Sequence, residues 1–517
     1  MVAPKLYTFL CANFAALGAS LFGYDLGVIS YVLAAPNFLS VTNLVESTAE
    51  NLNYQGFIVS SMLLGAFVGS IPASLVADAF SRRTSIVVGG IIFILGGILQ
   101  TAGQNKETIL AGRFFAGVGI GNLALLAPLY QSEIAHPSNR GRLIATFQFF
   151  IGIGAIIAGW VAYGVAQTHP GSAMQWRLPL GLQMFPAVPL VFLTFLLPES
   201  PRWLMIQGRE EDALHNLARL HARGNRNDAL VQGEFAELKA KISEERAVSS
   251  SWREIFGSMT NLRKILLGII LQFSVQMTGV SAIQYYSPRV YSAVGFGGNT
   301  PLLIQSINNI VGLIGEALCI LFIDKTGRRM PLIWGNILSG STFAVATALA
   351  KQFADGGGSY SQGIAFVAMT FIYNLVFSAC IGPLSWVYPV EIMNTAIRAK
   401  ATAMTSMAAW IANFMIGQVS PIAFAQVGWR YYLVFTVCGF TNAIVFYLFY
   451  PETKGRTLEE MDHYFKNNHW LYPLAHVRAV SDREREEELT KGGDALQKGD
   501  EEGEKKLEIR QLETGAV

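Results

Sequence analysis

Long apolar runs dominate this chain, and its polar residues gather at the ends of those runs instead of alternating with them. A helix needs about 20 mostly apolar residues to cross a bilayer. Twelve runs reach that length: 7–33, 54–76, 84–104, 107–130, 142–165, 178–197, 262–292, 300–323, 331–351, 362–388, 398–424 and 428–450. Each is predicted to be a spanning helix, because lipid offers backbone groups no partner and a helix satisfies them internally. The stretch 199–250 breaks the pattern with Glu210-Glu211-Asp212, Arg219, Arg223, Arg226, Glu237, Lys239, Lys241 and Glu244-Glu245-Arg246. Leu and Ala recur there at helical spacing, which predicts short amphipathic helices on the membrane face. From about residue 466 to 517, Glu, Lys, Asp and Gly take over, the composition of a partly disordered tail. The pattern divides the chain into a six-helix half at 1–198, linker helices at 199–261, a second six-helix half at 262–451 and a tail at 452–517. The fold class expected is an all-α membrane protein.

Composition agrees. Hydrophobic residues make up 52% and charged residues 14%, against about 25% charged in a soluble domain. The net charge of +2 does not point to nucleic acid, since the basic residues sit at segment ends and not on one face. Cys11, Cys319, Cys380 and Cys438 lie inside apolar segments, with no CxxC pair and no His partner. They are expected to be small buried hydrophobes. No P-loop and no zinc-ligand spacing is present, so no cofactor or metal is expected. The first apolar segment carries Asp25 and lacks a small-residue cleavage site, so it reads as a first span and not as a signal peptide. Arg82, Arg83, Arg140, Arg142, Lys325, Arg328, Arg329, Arg398 and Lys400 fall in alternate loops with the charged central stretch. Basic loops stay cytosolic, which puts both termini in the cytosol.

The charged phrases between the runs occur twice. Asp78-Ala-Phe-Ser-Arg82-Arg83 is echoed by Asp324-Lys-Thr-Gly-Arg328-Arg329, and Glu133 with Arg140 by Glu391 with Arg398. Trp176-Arg177 before Pro198-Glu199-Ser200 is echoed by Trp429-Arg430 before Pro451-Glu452-Thr453. Two similar halves with a site at their interface are the plan of secondary transporters. Arginine forks pair with carboxylates. The set Asp78, Arg83, Glu133, Arg140, Asp324, Arg329, Glu391 and Arg398 is therefore expected to hold the halves together on the cytosolic side and to break when the protein opens inward.

Polar groups inside spans are costly and point to function. Asp25 lies mid-span in Phe22-Gly23-Tyr24-Asp25-Leu26-Gly27, and Arg113 is the unassigned basic residue in a first-half span. A pair between them is either a permanent tie between helices or a proton site that opens as the protein swings. In the second half, Gln276-Met-Thr-Gly279-Val-Ser281-Ala-Ile-Gln284-Tyr-Tyr-Ser287 interrupts an apolar span with a glycine and hydrogen-bonding side chains. Broken helices at mid-membrane are where such proteins bind substrate. Gln148, Gln276, Trp386, Trp410 and Asn413 provide amides and indoles suited to a neutral polyol. Glu316, inside a span, either pairs with a basic residue near the cytosolic edge or takes part in proton movement.

Over about residues 7–460 the chain resembles the sugar porters of the major facilitator superfamily, most closely a fungal monosaccharide transporter for hexose or pentose. The resemblance rests on Gly112-Arg113 with Gly117, Gly119 and Gly121, Tyr130-Gln-Ser-Glu133, Arg140-Gly141 and Pro198-Glu-Ser-Pro-Arg-Trp203. It also rests on Asp324 with Gly327-Arg-Arg329, Gly382-Pro383 with Trp386, and Pro451-Glu-Thr-Lys-Gly-Arg456. It implies two six-helix halves with pseudo-twofold symmetry. It also implies sugar contacts at Gln148, Gln276, Trp386 and Asn413, and proton coupling through Asp25 and Arg113. Val275 stands where the family has a further glutamine, Ser281 and Gly312 where it has asparagines, and Phe80-Ser81 where Arg and Gly are common. Ser281 joins the expected contacts, and Asn308 and Asn309 lie about one turn from Gly312. Which hexose, pentose, deoxy sugar or polyol is carried stays open.

The expected function is proton-coupled import of a monosaccharide by a non-enzymatic, monomeric carrier in the plasma membrane. Its partners are then a sugar, protons and the bilayer, with no nucleic acid. A facilitative uniporter and a sugar sensor signalling through its tail are the other readings. The roughly 50-residue tail argues against the sensor.

Overall fold

The computed structural model describes residues 4–135, 140–247, 252–394, 397–456 and 458–472. Twelve helices long and apolar enough to cross a membrane run Leu6–Leu33, Ala49–Ala73, Arg82–Ala102, Lys106–Ile134, Thr146–Thr168 and Met174–Leu196, then Met259–Ala293, Thr300–Ile323, Arg329–Ala354, Tyr360–Ile392, Lys400–Gln426 and Gly428–Phe449. They are numbered here as spans one to twelve. Side-chain caps fix several starts: Thr48, Ser81 and Asn105 each accept a backbone N–H of the first turn, and Ser359 with Gln362 forms a capping box. Many helices outrun the apolar stretch. Span four continues through Gln131, Ser132 and Glu133, which carry it to the charged end.

Glycines set how closely the spans cross. Spans two and four meet through reciprocal pairs. A Cβ on Gly65 would lie 2.1 Å from the Phe114 carbonyl oxygen, and one on Gly117 would lie 2.0 Å from that of Met62. Gly69 faces Val118 and Gly121 faces Ala66 in the same way. Spans one and five cross with Gly23 against Ile151 and Gly154 against Ser20. Lipid gives helices no hydrophobic reason to associate, so backbone-to-backbone approach through small residues supplies the packing.

Span seven is interrupted. Its first helix ends at Gln276, Gly279 takes φ +91° and a second helix starts at Val280. That left-handed conformation suits glycine, and a Cβ there would also strike Phe435 at 2.7 Å. Between the halves, Met259 marks the return to the membrane after the helices Pro201–Ile206, Glu210–His221 and Ala229–Ala247. These bury Trp203, Leu204, Ala213 and Ile242 against one another. His221 ties them to span four through the Ile134 carbonyl, at 3.2 Å.

At the charged end the two halves repeat each other's bonds. Arg82 pairs with Glu133 at 3.0 Å and Arg328 with Glu391 at 2.9 Å. The Tyr130 hydroxyl donates to the Pro198 carbonyl, and that of Tyr388 to the Pro451 carbonyl. Arg83 Nε donates to Glu199, and the Arg329 backbone N–H to Glu452. After Pro451 the helix Leu458–Asn467 is tied back by Asp462, whose carboxylate meets Lys264 at 2.6 Å and Lys466 at 2.7 Å. Burial alone would raise the Asp462 carboxyl, but the two ammonium groups more than offset it and hold it below its usual range. A depressed carboxylate stabilises at neutral pH, and that stabilisation is lost as pH falls through the lowered value.

One position breaks the repeat. Gly327 has φ 78° and ψ −167°, and the corresponding Ser81 has φ 152° and ψ 162°. This region is nearly restricted to glycine and costs a side chain about 1–3 kcal/mol, whereas replacing a serine cap by glycine costs only a few tenths. Ser81→Gly is therefore expected to stabilise the protein by roughly 1 kcal/mol. A thermal-unfolding midpoint in detergent at or below wild type would contradict this.

Hydrogen bonds between the halves gather at the opposite end. Gln418 of span eleven donates to the Asn53 side chain at 2.6 Å and accepts from Ser60 at 2.8 Å. Tyr31 meets Ser306 at 2.8 Å, and Asn299 donates to the Ala166 carbonyl at 3.4 Å. The cysteines are free: Cys11 and Cys319 are buried, whereas Cys380 and Cys438 are only half-buried, short of the burial the sequence suggests.

Candidate functional site

Spans one, two and four converge on a buried ion pair. Arg113 Nη1 lies 2.9 Å from both oxygens of Asp25. Its Nε donates to the Ile58 carbonyl at 3.1 Å, and its Nη2 to that of Val59 at 3.4 Å. Asp25 is 0% exposed and Arg113 1%. The close crossing of spans two and four brings those carbonyls within reach of the guanidinium, and that of Ile58 also accepts from the Ser61 hydroxyl at 3.1 Å. Arg113 thus has neutral acceptors as well as the carboxylate.

Phe22, one turn before Asp25, and Leu26, the residue after it, form part of the wall of a cavity of about 180 Å³. Both halves line it, and the residues expected from the sequence meet there: Gln148 from span five, Gln276 and Ser281 from span seven, Trp386 from span ten and Asn413 from span eleven. Gln276 Oε1 accepts from the Ser281 hydroxyl at 2.7 Å across the break in span seven. Asn413 Oδ1 accepts from the Tyr285 hydroxyl at 3.1 Å. Tyr285 and Trp410 reach into the same buried cluster as Tyr24 and Leu26, the neighbours of Asp25. Trp410 sets its edge against Phe22 at 5.3 Å, whereas Trp386 stays 39% exposed.

The sequence did not single out Gln272, Gln305 or Asn374, which also line the cavity. Asn374 donates to the Asn308 carbonyl at 2.8 Å, and Gln305 to Asn309 at 3.0 Å. The signal for span eight was present: Gln305, Asn308, Asn309, Gly312 and Glu316 recur at three and four residues, one face of a helix. Among the described residues lining the cavity there are amides, hydroxyls, aromatic rings and one carboxylate, but no Lys, Arg or His. Such a wall suits a small neutral polyhydroxylated ligand. Among the described residues no cluster of His, Cys, Asp and Glu forms a metal site.

The charged residues take partners that the sequence did not indicate. Among the described residues the arginine–carboxylate pairs do not bridge the halves. Arg82 with Glu133 and Arg83 with Glu199 both lie in the first half, and Arg328 with Glu391 lies in the second. Glu133 and Glu391 also take the first arginine of each phrase, not Arg83 or Arg329. Arg329 donates to the Tyr447 carbonyl, and Arg398 to that of Met393. The side chains of Asp78, Arg140 and Asp324 lie outside the described residues. Glu316 meets Gln148 across the two halves at 3.3 Å instead of a basic residue near the charged end.

The family described as "Sugar (and other) transporter" matches residues 11–465. The chain is 32% identical over 464 residues to the MFS-type transporter criB of Aspergillus cristatus, covering 89% of this chain and 94% of that one. To the MFS glucose transporter mfs1 of Aspergillus flavus it is 32% identical over 510 residues, 94% of each. Among solved structures it is similar to the xylose transporter XylE of E. coli in an inward open conformation. That match has a TM-score of 0.74 and 26% identity, and covers 88% of this chain and 99% of XylE. It is similar as well to XylE, there described as a proton:xylose symporter, bound to 6-bromo-6-deoxy-D-glucose. The TM-score is 0.73 with 28% identity, covering 88% and 98%. The architecture is the major facilitator fold.

Proposed function

We infer the function from family and site together: the chain belongs to the sugar (and other) transporter family, and its site fits a monosaccharide–proton symporter working by alternating access. One observation carries this reading. A buried Asp25–Arg113 pair stands beside an amide-lined cavity that both halves share. Gln148, Gln276, Ser281, Trp386 and Asn413 hold the sugar, and Asp25 takes the proton while Arg113 falls back on the Ile58 and Val59 carbonyls. Residues 1–198 and 262–451 move as the two halves, 199–261 link them and 452–517 form the tail. The arginine–carboxylate pairs brace the end of each half, so that it swings as a body. The carrier works as a monomer in the plasma membrane, and the basic loops support a cytosolic place for both termini. XylE as a proton:xylose symporter and mfs1 as a glucose transporter support substrate class and coupling.

The same buried geometry, one guanidinium nitrogen meeting both carboxylate oxygens, also fits a permanent ion pair, which would make the protein a facilitative uniporter. Uptake of labelled hexoses and pentoses by cells lacking their own sugar carriers, with and without a protonophore, separates the two. Symport collapses with the protonophore, whereas facilitation only equilibrates and is indifferent to it. No uptake of any sugar from a protein at the cell surface would sink the transport reading. Within the cavity, Gln148→Ala or Gln276→Ala is expected to weaken sugar binding by about 1–3 kcal/mol, the cost of a lost buried hydrogen bond. Titration of the purified protein would check this, and unchanged affinity removes that residue from the site.

A further inference from the structure

Glu316 places a carboxylate in the cavity wall with no cation beside it among the described lining residues. The residue is 9% exposed. Its Oε1 accepts from Gln148 Nε2 at 3.3 Å. Its Oε2 is buried and has no hydrogen-bond partner among the described residues. Span five makes room for that oxygen: a Cβ on Gly152 would lie 2.7 Å from Oε2 and 2.6 Å from Leu313. A buried acceptor left unmatched is costly, more so inside a span. One left room by a glycine in the wall of a ligand cavity calls for a donor that arrives with the ligand.

We propose that Glu316 is a specificity-determining residue that accepts, at Oε2, a hydrogen bond from one hydroxyl of the transported sugar. Gln148 fixes the carboxylate through Oε1 and presents the rest of its amide to the same molecule, so the contact spans both halves. This rests on the transport reading above. The chemistry sets the selectivity. A carboxylate oxygen rewards a hydroxyl at the matching carbon, penalises the deoxy sugar that lacks it and repels a sugar bearing a carboxylate. Sites built to hydrogen-bond a substrate hydroxyl discriminate strongly against analogues without one.

The test crosses substrate with variant. KM is measured in carrier-deficient cells for whichever of D-glucose and D-xylose is taken up better, and for its monodeoxy analogues. The carriers are wild type, Glu316→Gln and Glu316→Leu. One deoxy analogue is expected to raise the wild-type KM by about 10- to 100-fold, as for a hydrogen bond to a charged group. The same analogue should show a penalty of only a few-fold in Glu316→Gln and none in Glu316→Leu, with the other deoxy penalties unchanged. A ratio of KM values does not depend on the amount of carrier, and if Glu316→Leu fails to reach the surface, Glu316→Gln decides. Identical deoxy penalties in wild type and variants overturn the proposal, as does a fall in uptake with the ratios intact, which marks a structural role. A surface-expressed wild type that moves no sugar overturns the transport reading along with it. Transport with an unaltered deoxy profile overturns this inference alone.

Discussion

Asp25→Asn is expected to abolish accumulation of sugar against its gradient while leaving exchange of sugar across the membrane intact. Asparagine matches aspartate in size and can still accept from Arg113, so the packing of spans one, two and four survives. What it cannot do is bind a proton at physiological pH. In the wild type both charges are fully buried, and the guanidinium also reaches the Ile58 and Val59 carbonyls. Protonation of Asp25 can therefore free Arg113 without stranding it. One proton descending one pH unit and 100 mV releases roughly 3.7 kcal/mol, enough to drive several-hundred-fold accumulation. Without a proton site that energy has no route to the sugar, and uptake stops at equilibrium. Counterflow in proteoliposomes measures exchange, and uptake under an imposed pH gradient measures accumulation. An Asp25→Asn carrier that still concentrates sugar would remove the proton role and leave the pair as a structural tie.

The largest stability effect is expected at the charged end. Arg82 and Glu133 have side chains 4% and 3% exposed, and Arg82 also donates to the Ala77 carbonyl at 2.8 Å. Arg82→Ala strands a buried carboxylate, which should cost about 3–5 kcal/mol. Replacing both partners, Arg82→Met with Glu133→Gln, should cost much less, because no charge is left without its counter-ion. Thermal unfolding of the detergent-solubilised protein compares the two. A single variant as stable as the double would mean that the pair contributes little. Arg83 is more exposed, 30% at its side chain, and its loss should matter less.

The fold was largely legible in the sequence, because a bilayer allows few solutions. The apolar runs locate all twelve helices, since any run of that length must satisfy its own backbone. The helix ends were less legible. A polar turn such as Gln131-Ser132-Glu133 ends the apolar run without ending the helix. The close crossings were missed because a glycine four residues from another is common in any apolar run, and only the reciprocal pair in the facing helix gives it meaning. Arg82 and Arg83 show what adjacency hides: neighbours on a helix point about 100° apart, so one turns inward to Glu133 and the other toward Glu199. The repeat revealed that these groups form sets but not that the described pairs, Arg82 with Glu133, Arg83 with Glu199 and Arg328 with Glu391, each lie within one half. Glu316 was conspicuous as an intramembrane charge. Its partner depends on how span five meets span eight, a tertiary relation with no local signature.

The bonds of Gln418 with Asn53 and Ser60, and of Tyr31 with Ser306, must part before the halves can separate at the end opposite the charged phrases, and we infer that they act as the seal on that side. A ligand approaching from that side finds the cavity only in those molecules whose seal has parted. Its apparent dissociation constant is then the intrinsic one divided by that competent fraction. The same cavity therefore registers as a weaker binder from one face of the membrane than from the other. A sidedness of affinity in this carrier measures the strength of the seal and not a second set of contacts with the sugar.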